Sequence, residues 1–263
     1  MARIELAGIP VDLERHGAGQ PLLYLHPEHF FSHQQPFVSQ LAKTREVAVP
    51  RHPRFFADCP AGGLRSLDDL AYLYLDLLEA LDWKDVLIVG SSFGAWVALE
   101  MAVRDTSRIE ALVLISPIGT KFGGRDDREF ADLFALPEAE VRNALFHDAN
   151  AGPDFEAMTA ADFTAHAIER EAVGHYAWKP HLHNPVLARW LHRVNRQTLV
   201  VRGQFDGYVE PNNTTTLVQG LPHAKLENVG DCGHYPQVEK PQETSDLINA
   251  FVAGLGQGWE VVR

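Results

Sequence analysis

Cysteine is scarce in this chain. Cys59 and Cys232 are the only two in 263 residues, too few for a disulfide framework or a cysteine-based metal spacing. Long apolar runs are missing as well. No stretch approaches the ~18 residues that span a bilayer. The opening Met1-Ala2-Arg3-Ile4-Glu5-Leu6 lacks an apolar signal core. Positive charge is in deficit: a net charge of −12 argues against nucleic acid and against anionic membrane surfaces as partners. There is no internal repeat and no low-complexity tract. The expectation is a soluble, cytoplasmic protein without nucleic-acid or membrane partners. Nothing in the sequence fixes whether copies associate as a homo-oligomer.

What is present is an ordinary globular composition, 46% hydrophobic and 22% charged, and enough length for one large α/β domain or a core with an insertion. Residues 3–14 alternate apolar and polar around Gly8-Ile9-Pro10, which reads as an edge hairpin. Buried strands are expected at 21–25, 45–49, 86–89, 109–115, 197–203 and 224–229, with helices between them. Residues 33–42 are expected to form one helix. Ser66 with Asp69 is a capping box that opens a second, carried by Leu70, Leu73, Tyr74, Leu77, Leu78 and Leu81. Strands alternating with helices predict a doubly wound, mostly parallel sheet, eight strands in all. Between 120 and 193 the rhythm changes. No strong strand appears, and helix starts fall at Leu136-Pro137, Thr159 with Asp162, and Asn184-Pro185. The division is therefore a core of 1–119 and 194–263 with a helical insertion at 120–193.

The chemistry centres on Val86-Leu87-Ile88-Val89-Gly90-Ser91-Ser92-Phe93-Gly94, a strand running into Gly-x-Ser-x-Gly with a helix after it. So sharp a turn projects the Ser92 hydroxyl beyond the sheet edge. Gly90 and Gly94 relieve crowding there, and Ser91 is a turn residue. A serine needs a base, and the base an orienting acid. Asp206 follows one later strand and His234 the last, in the order Ser…Asp…His. Asp231 is a weaker acid candidate, three residues from His234 and expected to be solvated.

With these pieces the chain resembles the α/β-hydrolase superfamily over essentially its whole length. The matching stretches are Leu25-His26, Gly90-Ser91-Ser92-Phe93-Gly94, Gly203-Gln204-Phe205-Asp206 and Gly233-His234-Tyr235-Pro236-Gln237-Val238-Glu239-Lys240-Pro241. The resemblance implies Ser92 as nucleophile, His234 as general base then acid, Asp206 as its orienter, a helical lid over 120–193, and no cofactor. It also implies an oxyanion hole built from the backbone N–H of Phe93 and of a residue after the third strand. By position that residue is Glu28. The family usually has His-Gly there, whereas this chain has His26-Pro27-Glu28. Proline cannot donate, and an ionised Glu28 side chain beside an oxyanion is unfavourable unless it points away.

His26, Trp178 and Tyr235 are the expected pocket residues. Phe130, Phe134, Phe146, Phe155, Phe163, Tyr176, Trp178 and Trp190 recur near helical spacing in the insertion and should mostly pack it onto the core. His29, His33, His175, His181 and His183 read as surface or pocket-lining histidines, not as metal ligands, since no carboxylate or cysteine stands at ligand spacing. The leading expectation is a serine hydrolase of small or medium carboxylic esters, working on a small-molecule ester or related acyl substrate. A second reading changes the bond. Gly233 to Glu239 and Ser116-Pro117-Ile118-Gly119 are similar to hydrolases that cleave C–C bonds in ring-fission products, although those carry a further Gly and Asn where this chain has Ser91 and Ala95. A third reading is a catalytically inactive hydrolase-fold binding protein.

Overall fold

Ala7 and Gly8, both at positive φ (49° and 79°), make the two-residue turn of an edge hairpin, β1 (Ala2–Leu6) and β2 (Ile9–His16). Positive φ at both central positions matches the twist of paired strands, which is why so short a turn works. The computed structural model describes residues 1–148, 150–154 and 156–256, so Phe155 and the last seven residues of the expected core lie outside the described residues. Six further strands follow: β3 (Gln20–Leu25), β4 (Arg45–Pro50), β5 (Val86–Ser91), β6 (Ile109–Ile115), β7 (Thr198–Gly203) and β8 (Ala224–Val229). They form one eight-stranded sheet in the order β1-β2-β4-β3-β5-β6-β7-β8. Pairing is antiparallel for β1–β2 and β2–β4 and parallel for the rest. The doubly wound sheet expected from the alternating pattern is the one observed.

Both sheet faces are covered, so the central strands are apolar throughout rather than alternating. On β3, Leu23 and Leu25 join one core while Leu22 and Tyr24 join the other; on β5, Ile88 and Leu87 divide likewise. The first core takes α2 (Leu67–Ala80) and α3 (Phe93–Arg104). The second takes α1 (Gln35–Leu41) and α9 (Pro241–Ala253). The Ser66–Asp69 box closes as expected: Asp69 N–H donates to Ser66 Oγ at 3.3 Å and Ser66 N–H to Asp69 Oδ2 at 3.0 Å. Such a cap contributes about 1 kcal/mol.

Between β6 and β7 the chain forms α4 (Glu138–Leu145), α5 (Ala160–Ala177) and the single turn α6 (Leu187–Trp190). Thr159 and Asp162 make a second capping box at the head of α5. Helices α7 (Pro211–Gly220) and α8 (Pro236–Glu239) lie between β7 and α9. None of the described helices is long and apolar enough to cross a membrane. The segment between β6 and β7 is anchored to α3 through Glu100, which is buried. It accepts Trp96 Nε1–H at 3.1 Å and Asn184 Nδ2–H at 2.8 Å and pairs with Arg104 at 2.6 Å. Cys59 and Cys232 are both buried and free.

Candidate active site

Ser92 sits where β5 turns into α3, with φ 49° and ψ −109°. A side chain held at positive φ stores about 1–3 kcal/mol, which the surroundings must over-determine. They do so by close approach. A Cβ on Gly94 would stand 2.1 Å from the carbonyl oxygen of Leu25, so only glycine lets α3 come this near β3. Ser92 N–H is tied to Ile115 O at 2.8 Å. Ser91 is buried, and its Oγ accepts Gln237 Nε2–H at 2.8 Å.

The other two residues come from the ends of β7 and β8. His234 Nε2 lies 2.8 Å from Ser92 Oγ, and Nδ1 lies 3.0 Å from Asp206 Oδ2. Asp206 Oδ1 is occupied by the N–H groups of Tyr208 and Val209 at 2.9 and 3.0 Å. These two bonds aim the remaining oxygen at the imidazole. Asp231 is exposed and takes no part in this chain of contacts.

Two residues that sequence reasoning did not single out hold these loops. Arg202, buried in β7, donates to the carbonyls of Gly203, Asp206 and Val209 at 3.1, 2.9 and 3.0 Å, closing the acid loop on itself. An arginine inside an apolar strand run was the available signal. Glu239 accepts Gly233 N–H at 2.6 Å with one oxygen, and His147 and Asp148 N–H at 3.0 and 2.9 Å with the other. His234 N–H itself donates to Leu145 O at 2.8 Å. The histidine loop and the end of α4 are thus one bonded unit.

Glu28 behaves differently from the expectation. Its side chain is at the site, and the residue is 1% exposed. Oε2 accepts Phe93 N–H at 3.1 Å, while Oε1 accepts the Ser92 hydroxyl at 3.0 Å and the Tyr235 hydroxyl at 3.3 Å. The carboxylate therefore occupies the place at the head of α3 where an oxyanion would bind. A helix N-terminus favours a negative group there, through its free N–H and its dipole. The loop directs it. Phe30 is left-handed at φ 61°, and Glu169 of α5 accepts Phe30 and Phe31 N–H at 3.1 and 3.3 Å.

His26 is locked behind this loop rather than lining open space. Its Nε2 accepts His52 N–H at 3.1 Å, which leaves Nδ1–H to donate to Pro27 O at 2.7 Å. His52 Nε2–H then donates to His26 O at 3.0 Å, and His52 Nδ1 accepts the Tyr74 hydroxyl at 2.5 Å. Burial, then the neighbouring His52, pushes His26 well below the ordinary histidine range. Burial lowers His52 to about 3. Both rings are neutral near pH 7.

Of the other expected pocket residues, Tyr235 is at the site. It is fully buried, its ring 4.8 Å from His234 and 5.6 Å from Phe146. Burial first, then the Glu28 charge, raises its phenol well above the usual value, so it is a neutral donor. Trp178 is not at the site. It is 58% exposed and meets Phe134 edge-on. Phe163 and Trp190 are also exposed, whereas Tyr176 packs on Phe93 and Phe55.

Ser92 and His234 are fully buried. A cleft of about 290 Å³ is lined by Phe30, His33, Met158, His166 and Glu169. Phe30 stands between, lining this cleft and touching Tyr235 at 6.0 Å between ring centroids.

An eight-stranded sheet of this order, with a serine elbow after β5 and an acid and a histidine after β7 and β8, defines the α/β-hydrolase fold. The chain belongs to that family, whose sequence profile matches residues 54–241. Among curated relatives it is 28% identical to the 2-hydroxymuconate semialdehyde hydrolase of Pseudomonas sp. (strain CF600), over 94% of this chain and 92% of that protein. It is 25% identical to the 2-hydroxy-6-oxo-2,4-heptadienoate hydrolase of Pseudomonas putida, over 96% of each. Among solved structures, a serine hydrolase from the polyaromatic-hydrocarbon-degrading bacterium Cycloclasticus zankles superposes with a TM-score of 0.80. That match has 21% identity and covers 98% of this chain and 99% of that one.

Proposed function

We propose that this protein is a serine hydrolase that cleaves a C–C bond beside a carbonyl in a ring-fission product of the 2-hydroxy-6-oxodienoate type. The observation that carries the catalytic half is the unbroken line from Ser92 through His234 to Asp206, at 2.8 and 3.0 Å. The substrate half rests on full-length relatives whose names specify such products. Ser92 Oγ attacks the ketone or aldehyde carbon while His234 Nε2 takes its proton. Asp206 keeps the imidazole in the tautomer that can do so. Phe93 N–H, at the head of α3, stabilises the oxyanion. With the substrate as its 2-oxo tautomer, the 2-hydroxyl proton having moved to C5, collapse breaks the C5–C6 bond, and the electron pair leaves as the dienolate of the 2-oxo acid, which takes the proton held by His234. Water then releases the acyl group from Ser92, so one water is consumed and one acid and one dienoate are formed.

Turnover in this scheme requires the Glu28 carboxylate to withdraw, because Phe93 N–H and the single Ser92 proton cannot serve it and the substrate together. The proposed entrance is beside Phe30, which lines the cleft and packs on Tyr235. Carboxylic ester hydrolysis is the second reading, favoured by Ser91 and Ala95 standing where C–C hydrolases carry Gly and Asn. Loss of the yellow dienolate absorbance of 2-hydroxymuconate semialdehyde, measured beside p-nitrophenyl acetate hydrolysis, tests both. C–C turnover abolished in Ser92→Ala supports the proposal. Ester turnover alone sinks it, and turnover of neither moves the ligand-binding reading forward.

A further inference from the structure

Helix α5 and the loop after β3 bring together three side chains that the proposed reaction does not use. We infer that His29, His166 and Glu169 form a binding site for one divalent transition-metal ion of the zinc class. His29 Nδ1 lies 4.0 Å and His166 Nδ1 3.7 Å from Glu169 Oε2, and the three donor atoms all fall within 4.8 Å of one another. Zinc with nitrogen and oxygen ligands at ~2.0–2.1 Å needs donors about 3.3 Å apart in a tetrahedron. Binding therefore requires the donors to draw together by about 0.4 to 1.5 Å. His166 and Glu169 stand three residues apart on α5 and so share one face of the helix.

The donor set is selective. Two imidazoles and one carboxylate suit zinc, cobalt or nickel, whereas calcium and magnesium take oxygen ligands. His29 is 3% exposed, and its Nδ1 has no hydrogen-bond partner, in a fold interior where such atoms are nearly always paired. The carboxylate is already oriented by the Phe30 and Phe31 N–H groups, each on a different oxygen. Each oxygen keeps a second lone pair, and this is the outer support that metal-bound carboxylates have. Arg170, the nearest cation along α5, is turned away onto the Leu133 carbonyl and the Phe134 ring. His166 and Glu169 also line the 290 Å³ cleft, which leaves a fourth coordination position open to water or a small ligand. An ion here would tie α5 to the residue next to Glu28. The inference does not depend on the reaction proposed above.

Zinc titrated calorimetrically into the chelator-treated full chain tests it, with cobalt absorption reporting the ligand set. The expected result is one saturable site with Kd of about 1 μM or tighter. His166→Ala and Glu169→Gln, each verified as folded by circular dichroism, should weaken it by more than the ~100-fold that losing an outer-shell contact typically brings. A His181→Ala/His183→Ala double variant, which removes the surface His-x-His pair, should bind as before. Absence of saturable binding below 100 μM, unchanged binding in His166→Ala, or loss confined to the His181/His183 variant would each overturn the assignment.

Discussion

Glu28 and Phe93 are joined carboxylate to backbone N–H at 3.1 Å, across the point where a substrate oxyanion would have to sit. The same carboxylate takes the hydroxyl of Ser92 at 3.0 Å. A hydroxyl has one proton, so while it points to Glu28 it is not offered to His234. The resting arrangement thus opposes activation twice, by filling the hole and by diverting the proton. Glu28→Ala should remove both obstacles. Hydrogen bonds to charged groups are worth about 1.5–3 kcal/mol net, so the rate of fluorophosphonate labelling at Ser92 should rise roughly 10- to 100-fold. A fall in rate, with the fold intact, would instead make Glu28 part of the catalytic machinery.

Asp206 supplies the only carboxylate oxygen bonded to His234 Nδ1 among the described residues. Asp206→Asn should keep the loop, since its oxygen still accepts Tyr208 and Val209 N–H, yet favour the wrong imidazole tautomer. A drop in kcat on the order of 10⁴ is expected, with little change in melting temperature. Activity within tenfold of the parent would mean that another acid, Asp231 first, orients the histidine.

Arg202 should matter for stability more than for chemistry. Arg202→Met leaves three loop carbonyls and a buried gap where the guanidinium lay. Orphaned buried acceptors make the expected loss about 2–4 kcal/mol, or roughly 5–10 °C in Tm for a chain of this size. Scanning calorimetry reads it directly, and an unchanged Tm would show that water replaces the arginine without penalty.

The His26–His52 pair predicts acid sensitivity. Both are buried neutral, with folded-state values below that of an unfolded histidine. Below pH ~6.5 the unfolded chain binds protons that the folded chain refuses, so stability rises with pH across this window and falls as pH drops from 6.5. Each histidine contributes up to about 1.4 kcal/mol per pH unit until its folded value is reached, near 3 for His52. Urea midpoints at pH 7.5, 6.5 and 5.5 should therefore decline, most steeply below 6.5, with His29 and His181, lowered by burial in the same way, adding to the slope of this pair. His52→Gln should flatten that slope. A midpoint indifferent to pH would contradict the assigned protonation.

What could be read from the sequence was local. Apolar runs gave the strands, Ser66–Asp69 and Thr159–Asp162 gave helix starts, and Gly-x-Ser-x-Gly placed a serine at the head of a helix. The order of Ser92, Asp206 and His234 anticipated a meeting that strand order alone enforces. What could not be read was the direction of side chains set from afar. Glu28 turns inward because Glu169, 139 residues beyond Phe30, fixes the loop beside it. Trp178 resembled a pocket residue by composition, yet its place on the outer surface depends on how α5 docks. His29, His166 and Glu169 converge for the same reason, with no spacing pattern to announce them.

The clasp made by Glu239 constrains how this chain can diversify. One carboxylate fastens both the loop carrying His234 and the chain leaving α4. Residues near 145–148 are therefore not free to drift with the rest of the segment between β6 and β7, because any shift there is transmitted to the imidazole. Changes of specificity have open ground on the exposed positions of α5 and its approach, away from Glu169, which holds the loop beside Glu28, and Tyr176, which packs on Phe93. The segment between β6 and β7 is thus divided between residues tied to the geometry of the reaction and exposed residues that can be rewritten without touching it.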